Sequence, residues 1–250
     1  MRYIHSASNQ QVKQWKKLST KKERDKTGTY LVEGFHLVEE ALISKQVVEI
    51  IVSETTGMPP TWDYGDIDVT MVTKEIMDSL TDTETPQGIV AVCQQQRYSS
   101  EQVIGNKFLL VDAVQDPGNL GTMIRTAEAA GIDAVVIGEG SVDIYNSKVL
   151  RSAQGSHFHL PIIRGKLLDW IEKCKQEQIP VYGTALENAK PYKEIESSGS
   201  FALIVGNEGS GVQKSFLSET TANLYIPIYG KSESLNVGIA TGILLYYLRK

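Results

Sequence analysis

The sequence predicts an α/β protein in two parts: a small mixed domain, then a larger one built on a parallel sheet. Three observations carry this reading. From Lys107 onward, short continuous apolar runs alternate with helical patterns, the signature of strands covered by helices on both faces. Three of the runs end in glycine-rich polar turns, within residues 109–131 (LLVDAVQDPGNLGTMIRTAEAAG), 201–212 (FALIVGNEGSGV) and 224–247 (LYIPIYGKSESLNVGIATGILLYY). Upstream, the polar stretch QQQRYSSEQVIGN separates this region from a weaker α/β pattern. The division is therefore 1–95, a linker at 96–106, and 107–250.

In chain order, residues 30–34 read as a strand, and Phe35, Leu37, Val38, Ala41 and Leu42 follow at helical spacing. A second strand is expected at 48–52 and a loop at 57–65, where Pro59 and Pro60 interrupt the backbone. Strands at 67–72 and 87–93 flank the short helical pattern KEIMDSL. In the larger part, strands are expected at 108–111, 134–137, 160–163, 181–184, 202–205 and 224–226. Helices fall at 122–130, where Gly131 stops the pattern, at 166–176, at 212–218, and from about Val237 onward. That last helix is apolar nearly all round, so burial is expected, with small Gly238, Ala240 and Gly242 permitting a close helix contact.

Composition excludes several classes. No apolar run reaches the roughly 18 uncharged residues of a membrane span, and the first ten residues lack the apolar core of a secretory signal. Cys93 and Cys174 have neither metal spacing nor the numbers for a disulfide framework; buried thiols in a reducing cytoplasm are expected. His157 and His159 alternate along a stretch read as extended, with no third ligand, so no metal is expected. The net charge of −5 is unevenly spread. Residues 1–26 hold eight basic groups against two acidic ones, leaving −11 for the remainder. Such an arm can neutralise polynucleotide phosphates, or it can be a solvated leader.

The turns hold the chemistry. Asn119 is placed to cap the following helix, whose first N–H groups form an anion site, and Arg125 offers a fixed cationic fork. Residues 206–211, GNEGSG, match neither common nucleotide loop, yet their glycines let a ligand approach the backbone. Glu208 can orient a catalytic group or pair with Arg125 or Lys214. Ser234 and Asn236 bracket the start of the last helix, where either could be a cap.

At these residues the chain resembles the SpoU (TrmH) family of RNA 2'-O-ribose methyltransferases, within the SPOUT superfamily. NLGTMIR, IVGNEGSG and IPIYGKSESLNVGIATG occur in the family's order, and YLVEGFHLVEEAL and TPQGIVAV are similar to its L30e-like substrate-binding domain. The resemblance implies a trefoil knot in the C-terminal domain and S-adenosylmethionine as methyl donor. It implies RNA as substrate, ribosomal RNA ahead of tRNA, and a homodimer with active sites at the subunit interface. Carried over residue by residue, it implies catalytic roles for Asn119, Arg125, Glu208, Ser234 and Asn236, and donor contacts from Gly206, Ile226 and Leu235. Arg125 would activate the hydroxyl, either as a base oriented by a substrate phosphate or by stabilising the alkoxide while water takes the proton. The rival readings are an inactive RNA-binding assembly factor and a dehydrogenase, the latter disfavoured because the dinucleotide glycine pattern is missing.

Overall fold

The computed structural model describes residues 2–249, which pack as two units, 2–96 with 145–158, and 97–144 with 159–249. The first unit carries a five-stranded mixed sheet in the order β1-β4-β3-β5-β2. Its strands are β1 (Arg2–Ile4), β2 (Thr29–Glu33), β3 (Val47–Ser53), β4 (Asp68–Val72) and β5 (Ile89–Gln94). Helix α3 (Phe35–Ile43) packs Leu37, Val38 and Ala41 against one face, and α4 (Lys74–Asp78) buries Ile76 and Met77.

The basic N-terminal segment is folded. It forms α1 (Gln10–Lys17) and α2 (Lys21–Thr27), capped by Asn9 and Thr20. Val12 and Trp15 of α1 are buried, and the carboxylate of Glu49 on β3 binds the helix to the sheet. Glu49 accepts from Trp15 Nε1 at 3.1 Å, Gln11 Nε2 at 2.9 Å and Thr70 Oγ1 at 2.8 Å. Such a buried carboxylate is tolerable because donors fill its lone pairs. Arg24 is buried and donates to the carbonyls of Leu18 and Ser19 at 2.8 and 2.7 Å, closing the turn between the helices. Lys13, Lys17, Lys21 and Lys22 remain exposed.

Residues 145–158 complete this unit from far along the chain. Helix α6 (Ser147–Ala153) and the 3-10 turn Ser156–Phe158 bury Leu150 and Phe158 in the same core as Tyr30 and Val38. The Tyr30 hydroxyl meets His157 Nε2 at 3.1 Å. The extended stretch expected around His157 and His159 is thus a 3-10 turn at His157, which is buried beside Tyr30, whereas His159 is exposed. Period-two reading failed here because tertiary packing, not a sheet, shields this apolar stretch.

The second unit is a seven-stranded sheet, every pairing parallel, in the order β10-β12-β9-β11-β6-β7-β8. Its strands are β6 (Lys107–Val111), β7 (Ala134–Ile137), β8 (Ile162–Arg164), β9 (Val181–Thr184), β10 (Lys190–Pro191), β11 (Phe201–Val205) and β12 (Ala222–Tyr225). Phe108, Leu110, Ala202 and Ile204 cluster with Trp170, Ile171 and Cys174 of α7 (Leu167–Gln176) on one face. Their strand neighbours Leu109, Val111, Leu203 and Val205 are equally buried, which is why both strands read as unbroken apolar runs. Helix α5 (Pro117–Ala129) packs on α9 (Val237–Leu248), which also touches β11, and the four-residue α8 (Lys214–Leu217) sits against β9. A Cβ on Gly238 or Gly242 would stand 3.4 Å from a side-chain methyl of Thr122 or Thr126, so the small residues let the two helices approach closely. Burial of α9 is one-sided: Leu244, Leu245 and Leu248 are inside, but Ile239 is 55% and Tyr246 50% exposed.

Candidate active site

A cavity of about 1030 Å³ opens at the C-terminal ends of β9, β11 and β12, the end where parallel sheets place their ligands. Its volume lies at the upper end of the range for small-molecule sites. Two of the segments that wall it are 206–212 after β11 and 233–237 at the start of α9. Thr184, Ile226 and Ile228 add to it.

Of the residues singled out in the sequence, Gly206, Glu208, Ile226, Ser234, Leu235 and Asn236 line this cavity. Asn119 is bonded to two of them. Its Nδ2 donates to Glu208 Oε1 at 3.0 Å, and its Oδ1 accepts from Asn236 Nδ2 at 2.9 Å. Asn236 in turn caps α9, accepting from the N–H groups of Gly238 and Ile239 at 2.9 and 3.2 Å. The side chains of Glu208, Asn119 and Asn236 thus form a continuous relay joining all three glycine-rich turns, and each amide has a defined orientation.

Glu208 also accepts from the backbone N–H groups of Gln115 and Asp116, at 3.2 and 3.0 Å. Partial burial pushes its carboxyl upward, but the Asn119 amide and these backbone donors outweigh that effect and hold it below its ordinary value. It is an anion at neutral pH. Its hydrogen-bond donors are neutral amides, in place of the Arg125 or Lys214 partner that the sequence allowed.

Asn119 is not a helix cap. Asp116 is, its Oδ1 accepting from Asn119 N–H at 2.8 Å, with Pro117 at the first helical position. A proline preceded by aspartate starts the helix earlier than the apolar period indicates, and this frees the Asn119 side chain for the relay. Arg125 lies further along α5 on its exposed side, outside the cavity lining, and makes no side-chain hydrogen bond or ion pair with the described residues. Ser234 likewise presents its hydroxyl without a partner among the described residues, on the cavity wall.

Sequence reading missed Asp112 and Gln213, and it marked Asn207 only as a polar residue of its turn. Asn207 Nδ2 donates to the Ala113 carbonyl at 2.9 Å, while its Oδ1 accepts from Gly209 and Ser210 N–H at 2.9 and 3.1 Å. Its position inside the glycine turn was the only available signal. Among the described residues, no group of three His, Cys, Asp or Glu is arranged to hold a metal ion, and no helix is long and apolar enough to cross a membrane.

Known proteins resemble this chain in sequence and in fold. Residues 106–246 match the SpoU rRNA Methylase family, and residues 9–91 match the MRM3-like substrate binding domain. The chain is 56% identical over its full length to the full-length 23S rRNA (guanosine(2553)-2'-O)-methyltransferase RlmP of Bacillus subtilis. An AdoMet-bound rRNA methyltransferase from Sinorhizobium meliloti superposes with a TM-score of 0.88 at 29% identity, over 99% of this chain and 97% of that one. A structure of an RNA 2'-O ribose methyltransferase superposes with a TM-score of 0.84 at 28% identity, over 98% and 97%.

Proposed function

Because the chain belongs to the SpoU rRNA methylase family, we propose that it transfers the methyl group of S-adenosylmethionine (AdoMet) to a ribose 2'-hydroxyl of 23S ribosomal RNA. The observation that carries this reading is the relay of Glu208, Asn119 and Asn236 at the wall of a cavity large enough for the donor. The fit to AdoMet is chemical as well as spatial. The donor is cationic at sulfur, and the cavity wall carries the anionic Glu208 with Glu187 and Glu233. Gly206, Ile226 and Leu235 are its contacts; when bound it supplies an electrophilic methyl group.

The protein's own residues have the remaining tasks. Asn119, Glu208, Ser234 and Asn236 shape the acceptor side and exclude water, a positioning effect worth up to ~7–11 kcal/mol in favourable cases. A guanidinium keeps its proton throughout the working pH range. Arg125 therefore serves as a fixed positive charge for a substrate phosphate and for the developing alkoxide, while water accepts the hydroxyl proton.

The active unit is read as a homodimer. Two features support this: the exposed apolar side of α9 at Ile239 and Tyr246, and an Arg125 lying off the cavity of its own chain without a partner among the described residues. A site completed across a two-fold axis has these features. The trefoil knot is part of the same reading, supported by the convergence of residues 206–212 and 233–237 on one cavity. The first unit, with Lys13, Lys17, Lys21 and Lys22 facing solvent, holds the RNA. The setting is the bacterial cytoplasm, where ribosomal RNA is modified. Incubating the protein with radiolabelled AdoMet and 23S rRNA lacking the modification, then mapping alkali-resistant phosphodiester bonds, tests the proposal. One resistant position in 23S rRNA is expected. Label confined to tRNA would change the substrate, and binding without transfer would leave an assembly factor.

A further inference from the structure

Next to the second glycine turn, the buried carboxylate of Asp112 fastens the exposed Gln213. We propose that Asp112 and Gln213 are positioning residues that hold the donor cavity in its binding shape, an inference resting on the reading of that cavity as the AdoMet site. Asp112 follows β6 and is 1% exposed. Its Oδ2 accepts from the backbone N–H of Gln213 at 2.8 Å, and its Oδ1 accepts from Gln213 Nε2 at 2.7 Å. Its own N–H donates to the Val205 carbonyl at 2.8 Å, at the end of the neighbouring strand. No described lysine or arginine pairs with it. A carboxylate buried without a cation is costly unless good donors fill its lone pairs, so the position of Gln213 is tightly constrained.

That constraint reaches the donor. Gly211, Val212 and Lys214, the neighbours of Gln213, all line the cavity. At the other end of the turn, Asn207 holds the Ala113 carbonyl at 2.9 Å, and Ala113 has φ 53°, in the left-handed region that non-glycine residues rarely adopt. The turn 207–213 is therefore clamped at both ends to the adjacent residues 112 and 113. A strained backbone persists only where its surroundings over-determine it, and here they do.

The pairing also explains why a carboxylate occupies position 112. It offers two acceptors to two donors. In Q213E two carboxylates would face each other, whereas in D112N the Gln213 side-chain amide can turn over and accept from the new NH₂ group, keeping both bonds. In D112N/Q213E the amide accepts from the backbone N–H of residue 213 and donates to the carboxylate, restoring both bonds.

The experiment is calorimetric titration of the full-length protein and these three variants with AdoMet, alongside steady-state kinetics. With wild-type binding as the baseline, Q213E weakens donor binding roughly tenfold, the loss of one charged hydrogen bond, while D112N stays within about threefold. The double variant returns to within about threefold of wild type on the same scale. The loss appears as a raised KM for the donor with kcat at saturating donor unchanged, whereas a merely structural defect would lower kcat as well, together with the melting temperature. Unchanged affinity in Q213E, or no recovery in the double variant, overturns the inference. If a single variant fails to fold, a folded, binding double variant supports the pairing and an unfolded one refutes it. A wild-type protein that does not bind AdoMet refutes the donor-site reading instead.

Discussion

Gly206→Ala tests whether close backbone approach, rather than glycine's conformational range, is what the donor turn requires. The backbone at Gly206 is not in the left-handed region, so alanine is conformationally permitted there. The obstacle is steric. A Cβ at this position would stand 2.2 Å from the carbonyl carbon of Gly211 and from the nitrogen of Val212, and 2.4 Å from the Gly211 oxygen. All three are main-chain atoms, so no rotamer change relieves the clash, and the turn must retreat by roughly 1 Å to reach even tight van der Waals contact. The movement pulls on the paired bonds between Asn207 and Gly211, at 3.1 and 2.9 Å. Losing both costs about 1–3 kcal/mol, and overpacking adds a further 1–3 kcal/mol or so. Because Gly206 and Gly211 both line the cavity, the cost appears as lost donor affinity. We expect AdoMet binding to weaken by at least about 30-fold in calorimetry, with a lowered melting temperature. A G206A protein with wild-type affinity and melting temperature would refute the steric argument.

Three further outcomes follow from the site. Arg125→Ala should abolish transfer to RNA, a loss on the order of 10²-fold or more, while AdoMet affinity stays within about twofold; normal turnover would remove Arg125 from the chemistry. Replacing Lys13, Lys17, Lys21 and Lys22 by Gln should weaken RNA binding and flatten its logarithmic salt dependence by about 0.7 for each phosphate no longer neutralised. Donor affinity is the control, and an unchanged salt slope would mean that these lysines only solvate the surface. Glu208 has a lowered pKa in the folded protein, so its hold on Gln115 and Asp116 is complete above the ordinary carboxylate range and is lost only as pH falls through the lower folded value. The amide resonance of Gln115 should therefore titrate with a midpoint below the ordinary glutamate value, and that titration should vanish in E208Q; a midpoint at or above the ordinary value contradicts the hydrogen-bond assignment.

Much of the architecture was legible because strands and helices are written in short-range periods. β7 and β9 fall where their apolar runs lie, and β6, β11 and α7 differ from the reading by a residue at one end. The misreadings share a cause. The apolar period places the start of α5 at Thr122, but Asp116 and Pro117 nucleate it earlier, so Asn119 bonds across the site instead of capping. The composition of α9 predicts burial on all sides, while packing against α5 and β11 covers only part of its circumference. For residues 1–26 the charge pattern concealed Val12, Trp15 and Leu18, the few apolar anchors that fold α1 and α2 onto the sheet.

Sequence alone settled the parallel α/β architecture, the three glycine turns and the family, since each is carried by residues close together along the chain. Tertiary structure decided which polar groups meet. β6 and β11 are adjacent in the sheet although about 90 residues separate them, and that adjacency aligns Asp112 with Gln213 and Glu208 with Asn119. It likewise placed residues 145–158 in the first unit. Hydrogen bonds act over about 3 Å, and no periodicity along one chain specifies which distant turns come that close.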